Sequence, residues 1–365
     1  MSILSTPISM PRLHIARRGT RSRRAPTMTG LEIGATQAIV AQARVQDGRI
    51  AAERAAARAL PPGLMRDGVV IDPDGLAREL RELFAEHRFP KRVRVGLATP
   101  RTVLRVIDLP PLDDRDVRAA LLMQAQERIP MPLDRAVMDF QTIGLVDTTA
   151  GRRLRVIVVA TEREGVEPLL EALQGAGLKA VGIDLSIFAV IRALRDHGSA
   201  DSPLLYAQLG DLANIAIAEG GVCRFNRLAP QGLATLLERV TESQGIPSDQ
   251  ALALLQRTGI EPRDEEVNAG DKAVRDLLAR TAKELGSELR GAAEFYSTQF
   301  GSGPVATGMV AGPLAPIPGF VEAIAAASGL ELTCGEVTVA AAGAPLGLDA
   351  RLAPVASGLS VGELG

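Results

Sequence analysis

Apolar and polar positions alternate through Leu31, Glu32 and Ile33, break at Gly34, and resume into Ala38, Ile39 and Val40. A turn at Asp47 and Gly48 follows, and then Arg49 and Ile50, so the region predicts strand, glycine turn, strand, second turn, strand. The pattern returns when Gly210 is laid on Gly34. Gln208 and Leu209 lead into the glycine, Ala213 to Ile217 forms the next apolar run, Gly220 and Gly221 turn, and Val222 to Phe225 closes the set. Self-similarity over so long a distance predicts a duplicated domain, not a solenoid.

Other elements fall between and after the two copies. Leu76, Leu80, Leu83 and Phe84 make a helical stripe over 74–87. Residues 91–97 and 103–109 read as strands, the second stopped by Pro110 and Pro111. Asp113 is the expected N-cap of a helix carrying Val117, Leu121 and Ala125 to about Arg128, where Pro130 and Pro132 end it. A β-branched run over 153–160 predicts a strand. A helix over 166–177, a strand over 180–184 and a helix over 185–195 complete the first half. The polar stretch 197–203 is the expected boundary. Beyond the second copy, helices are expected over 232–244, within 248–266, over 272–300, over 320–329 and within 353–364, with a strand over 309–312.

Two three-stranded meanders, each followed by helices, predict the duplicated α/β fold of the actin, hexokinase and Hsp70 group. In that arrangement the two glycine turns face each other across a cleft. Backbone amides of a tight turn form an anion nest, and glycine lets the backbone approach a phosphate closely.

Composition narrows the chemistry. Aromatic residues are 3% and Trp is absent, so the core must be built from Ala, Val, Leu and Ile. A net charge of -2 argues against a general nucleic-acid binder. Cys223 and Cys334 lie outside any metal-binding spacing and fit a reducing compartment. His14, His87 and His197 stand apart and support no catalytic triad. No apolar run reaches the roughly 18 residues that cross a bilayer. The first thirty residues hold Arg12, Arg17, Arg18, Arg21, Arg23 and Arg24 and no acid. They read as a disordered basic tail ahead of an alternative start at Met28, or as a contact with anionic lipid.

Several stretches together resemble the type IV pilus assembly PilM family over roughly residues 31–360. They are Leu31-Glu32-Ile33-Gly34, Leu60-Pro61-Pro62-Gly63 with Asp67-Gly68, and Arg105-Val106-Ile107-Asp108-Leu109-Pro110. Further on come Glu127-Arg128-Ile129-Pro130-Met131-Pro132-Leu133 with Asp139-Phe140, and Ala176-Gly177-Leu178-Lys179 with Gly182-Ile183-Asp184. The resemblance implies an actin-like (ASKHA, ribonuclease H-like) fold with an inserted FtsA-type 1C-like subdomain. Its expected divisions are a basic tail over 1–29, domain 1A over 30–98 and 181–198, and the insert over 99–180. Domain 2A follows over 203–240 and 291–345, subdomain 2B over 241–290, and a segment over 350–365 that returns to the first domain. The implied protein is cytoplasmic, peripheral at the inner face of the cell membrane, and self-association is compatible with it. Its implied partner is the extended apolar tail of a PilN-like membrane protein, received beside the insert by Arg105, Ile107, Leu109, Ile129 and Leu133. PilO, PilC and the motor ATPases are the implied neighbours.

The resemblance also implies ATP with Mg. The nucleotide residues carried over are Glu32, Gly34, Ala35, Thr36, Gln208, Gly210, Asp211 and Gly312. Departures stand among them. Glu32 replaces the usual Asp, and Gln208 holds the place of the second acid with a side chain that carries no charge. Asp211, just past the glycine, is a candidate substitute. Ile39 stands where a Lys is usual, and Pro313 follows Gly312 without an N–H. The residues thus point to a scaffold with a degenerate cleft. The rivals are a working Mg-ATPase of pilus assembly or cell division, an FtsA-like filament former, and the cytoplasmic part of a GspL-like protein.

Overall fold

The computed structural model describes residues 28–149, 151–195, 202–261, 269–300, 303–340 and 346–361. The basic tail up to residue 27, His14, His197, most of the expected boundary, the polar turn up to Glu266 and the last four residues lie outside them.

The first meander is β1 (Thr29–Ile33), β2 (Gln37–Gln46) and β3 (Arg49–Ala59). A small hairpin, β4 (Met65–Arg66) with β5 (Val69–Val70), leads to α1 (Pro73–His87) and β6 (Arg92–Leu97). Asp72 caps α1 by accepting from the Gly75 amide at 2.9 Å. Next come β7 (Thr102–Leu109), α2 (Asp114–Arg128), β8 (Ala136–Thr148) and β9 (Gly151–Glu162), then α3 (Arg163–Gly175), β10 (Lys179–Leu185) and α4 (Ser186–Leu194). The second meander is β11 (Leu204–Leu209), β12 (Ala213–Glu219) and β13 (Val222–Ala229). It is followed by α5 (Leu233–Gln244), α6 (Ser248–Thr258), α7 (Ala269–Phe300), β14 (Thr307–Ala311), α8 (Phe320–Ser328), β15 (Glu331–Cys334), β16 (Thr338–Val339) and α9 (Pro354–Ser360).

The duplication is explicit in the sheets. The first runs β3-β2-β1-β6-β10 and the second β13-β12-β11-β14-β15, with β16 added in parallel outside β3. In each, the middle meander strand is antiparallel and the last two strands are parallel to the first. Each sheet buries its own aliphatic core, one centred on Leu31, Leu80 and Ile187 and the other on Leu205, Leu278 and Phe320. A third, smaller core lies between α2 and the sheet β7-β9-β8. Helix α3 joins the first core through Val166, Leu169 and Leu173.

The C-terminal α9 returns to the first domain, and all seven of its residues are buried. It packs on β1, β2 and α4. A Cβ at Gly30 would overlap the Ala356 carbonyl, and one at Gly358 would overlap that of Ala189. Among the described residues no helix is long and apolar enough to cross a membrane.

Candidate functional site

The central strands β1 and β11 end in the two glycine turns, and these turns meet. The Gly34 amide donates to the Gln37 carbonyl at 2.9 Å, closing the first turn. The next amide, Ala35, donates across the cleft to Asp211 Oδ2 at 2.6 Å. Gln208 Nε2 donates to Glu32 Oε1 at 2.8 Å. Both bonds join residues 176 positions apart. That offset also superposes Gly34 on Gly210, because 210 − 34 is 176. Each bond therefore links a position to its own equivalent in the other half, and the duplication closes on itself at its mouth.

Charge explains why this contact holds. The Glu32 carboxyl sits inside the cleft, and its pKa is pushed from 4.5 up to about 8, first by burial and then by the negative charge of Asp211, against the Gln208 hydrogen bond. Burial also raises Asp211, with Asp67 adding to the rise and the Ala35 amide opposing it. An acid in place of Gln208 would set two desolvated carboxyls against each other. An amide instead donates to Glu32 and lets the turns close. The Gln208 Oε1 atom is buried without a partner.

A pH dependence follows. The folded chain holds a proton on Glu32 that the unfolded chain has released, over the range from 4.5 to about 8. Stability from this site is full below that range and falls as pH rises through it. Denaturant midpoints measured across the range should decline for the native chain. They should decline less steeply for Glu32→Gln, whose amide oxygen keeps the bond from Gln208. Equal slopes would remove Glu32 from the account.

Thr36 and Gly210 line the same cavity as Glu32, Gly34, Gln208 and Asp211. The enclosed space is about 50 Å³, room for a few waters. Gly312 stands beside the end of β11. Its amide donates to the Arg351 carbonyl at 3.3 Å, and a Cβ there would press on the Leu209 backbone. Sequence reasoning missed Met65, Gly68, Gly96 and Ser186, which form the first-domain wall. The Asp67-Gly68 turn was a visible signal: a Cβ at Gly68 would overlap the Ala98 carbonyl.

Among the described residues no group of three or more His, Cys, Asp or Glu is gathered to hold a metal. As closed, the polar groups of the cleft engage one another. Glu32 carries a proton at neutral pH, Gln208 is neutral, and the Ala35 amide is already engaged by Asp211. A hard cation wants several charged oxygens, and burial works against charge on both Glu32 and Asp211.

The expected docking residues divide by burial. Ile107, Leu109 and Ile129 are buried in the core beneath α2. Ile107 and Leu109 lie on the face of β7 that α2 covers, and Ile129 closes the end of α2 over the same core. Leu133 packs partly exposed against that core, and Arg105 is exposed, donating to the Leu104 carbonyl at 2.9 Å. The other face of β7 carries Leu104 and Val106, partly buried with Ile143 of β8 against the first core.

The profile of the family described as type IV pilus assembly protein PilM matches residues 30–338. A solved structure described as a PilM–PilN type IV pilus biogenesis complex is 25% identical with a TM-score of 0.76, covering 92% of this chain and 97% of that one. The ethanolamine utilization protein EutJ from Carboxydothermus hydrogenoformans is 15% identical with a TM-score of 0.55, covering 93% of this chain and 90% of that one. The second likeness is one of fold, and together they place the chain on the duplicated actin-like architecture.

Proposed function

The chain belongs to the type IV pilus assembly PilM family, and we propose that it serves there as an actin-like scaffold, not a turnover enzyme. The observation that carries this reading is the cross-cleft pair of hydrogen bonds, Ala35 to Asp211 and Gln208 to Glu32. They occupy the phosphate cradle with the protein's own groups and leave no charged acid pair for hydrolysis. The scaffold docks the cytoplasmic tail of a PilN-like membrane protein and is held through it at the inner face of the membrane, near PilO, PilC and the motor ATPases. An extended apolar tail can pair with a strand edge and set alternate side chains in pockets. The half-exposed strip of Leu104, Val106 and Ile143, between insert and first domain, suits such a tail.

Calorimetric titration tests this reading. A synthetic PilN-type tail should bind the native chain and bind Val106→Asp at least about tenfold more weakly, since a desolvated carboxylate costs more than 1.4 kcal/mol. Mg-ATP should give no heat. Undiminished peptide binding to Val106→Asp would move the docking site elsewhere. Micromolar Mg-ATP binding that Gly34→Val removes would favour a working ATPase.

A further inference from the structure

The cleft lies at the C-terminal ends of β1 and β6. The opposite ends of β6 and β10 are basic. Lys91 immediately precedes β6 and Arg92 opens it, Lys179 opens β10 directly beside Arg92, Arg88 sits in the left-handed cap after α1, and Arg81 lies on α1. All five are exposed. Arg81 donates to the Gly175 carbonyl at 2.7 Å. None of the five forms an ion pair among the described residues. The nearby acids of α1 are occupied elsewhere: Arg58 engages Glu79, Glu82 and Glu86.

The chain also enters the fold here. Thr29 pairs with Val93, and its hydroxyl donates to the Pro90 carbonyl at 2.8 Å. Upstream of it lie the six arginines of the first thirty residues, again without an acid. Lys179 and Arg92 stand side by side on neighbouring strands, and like charges at such spacing repel within the roughly 10 Å reach of electrostatics in salt. A partner that supplies negative charge turns that repulsion into attraction.

We propose that this end of the first domain is a docking surface for an anionic phospholipid bilayer, contacted directly and independently of any protein partner. The five side chains come from separate segments across the end of α1, β6 and β10, a spread that matches a layer of headgroups better than one phosphate. Clusters of four to eight basic residues are the usual means of holding such a layer. Nucleic acid is the poorer match, because Phe89, between Arg88 and Lys91 in the chain, is buried with Arg54 over its ring and offers no base a stacking face. With the basic end against the bilayer, the cleft at the other end of the sheet faces away from it.

Vesicle co-sedimentation of the full chain tests the proposal. Phosphatidylcholine vesicles containing phosphatidylglycerol should carry the protein down at low salt, vesicles of phosphatidylcholine alone should not, and added salt should release it. Each basic residue removed should lower partitioning roughly fivefold. The variant Lys91→Glu/Arg92→Glu/Lys179→Glu should therefore lose at least roughly a hundredfold, with an unchanged thermal melt because all three are exposed. A second full-length variant with the six N-terminal arginines replaced by Gln separates the tail from the folded surface. Equal binding to both vesicle types, no binding at low salt, or a triple variant that still sediments would overturn the proposal. Complete competition by polyglutamate at matched charge, with no preference for vesicles, would reassign the surface to an acidic protein.

Discussion

Replacing Gly358 with alanine should destabilise the first domain by roughly 4 kcal/mol or more, enough to unfold a marginal chain. Helix α9 approaches α4 so closely that the added methyl would meet the Ala189 backbone, not a flexible side chain that could swing aside. Gly30 is the matching contact on β1, where the obstruction is the Ala356 carbonyl. Overpacking usually costs about 1–3 kcal/mol because side chains rearrange. Here the obstructing atoms are backbone on both sides, and relief requires moving a whole buried helix. Gly291→Ala is the control: it lies within α7 with nothing in contact range of the added carbon. It should stabilise by up to about 1 kcal/mol through helix propensity. Guanidinium midpoints of the three proteins give the comparison, and a Gly358→Ala midpoint equal to native would show that α9 is not seated as described.

Asp184→Ala should cost about 3–5 kcal/mol. The Asp184 side chain is 1% exposed and meets Arg192 at 2.8 Å, while Arg192 is 13% exposed. The other arm of Arg192 donates to the Gly358 carbonyl at 2.7 Å. Removing the carboxylate leaves a guanidinium in the interior with one carbonyl partner. Removing both charges is a different experiment: Asp184→Leu/Arg192→Leu should retain more stability than either single truncation, since no uncompensated charge remains. Equal losses in the single and double variants would mean that packing, not charge, governs the site.

The parts of the fold visible in the sequence were those written in local pattern. The repeated meander could be read because a glycine turn between two alternating runs has few other solutions. The cleft residues followed from it, since the equivalence of Gly34 and Gly210 needs only counting. What sequence could not supply was pairing. Asp211 was a candidate acid for a ligand, yet its carboxylate reaches the amide of its own equivalent position, a contact that exists only once the halves are folded together. Strand β3 extends to Ala59 through a run of alanines whose intrinsic preference is helical. Pairing with β2 along its whole length overrides that preference. Strand β8 went unread because its residues are half-exposed on both faces and show no clean alternation. Burial on β7 was not legible either: Ile107 and Leu109 fill the core beneath α2, while Leu104 and Val106 pack against the first core.

The buried α9 has a consequence for how the protein is made. Its residues fill the space between β1, β2 and α4, so the first domain cannot finish its interior until residues 354–360 have been translated. At bacterial-to-eukaryotic synthesis rates of about 5–20 residues per second, the interval from β10 to α9 is on the order of ten to thirty seconds. During that interval the second domain, whose core draws, among the described residues, on those between β11 and Leu332, can complete itself. The order of folding is thereby inverted relative to the order of synthesis, and the nascent first domain waits with an apolar slot that a chaperone would recognise.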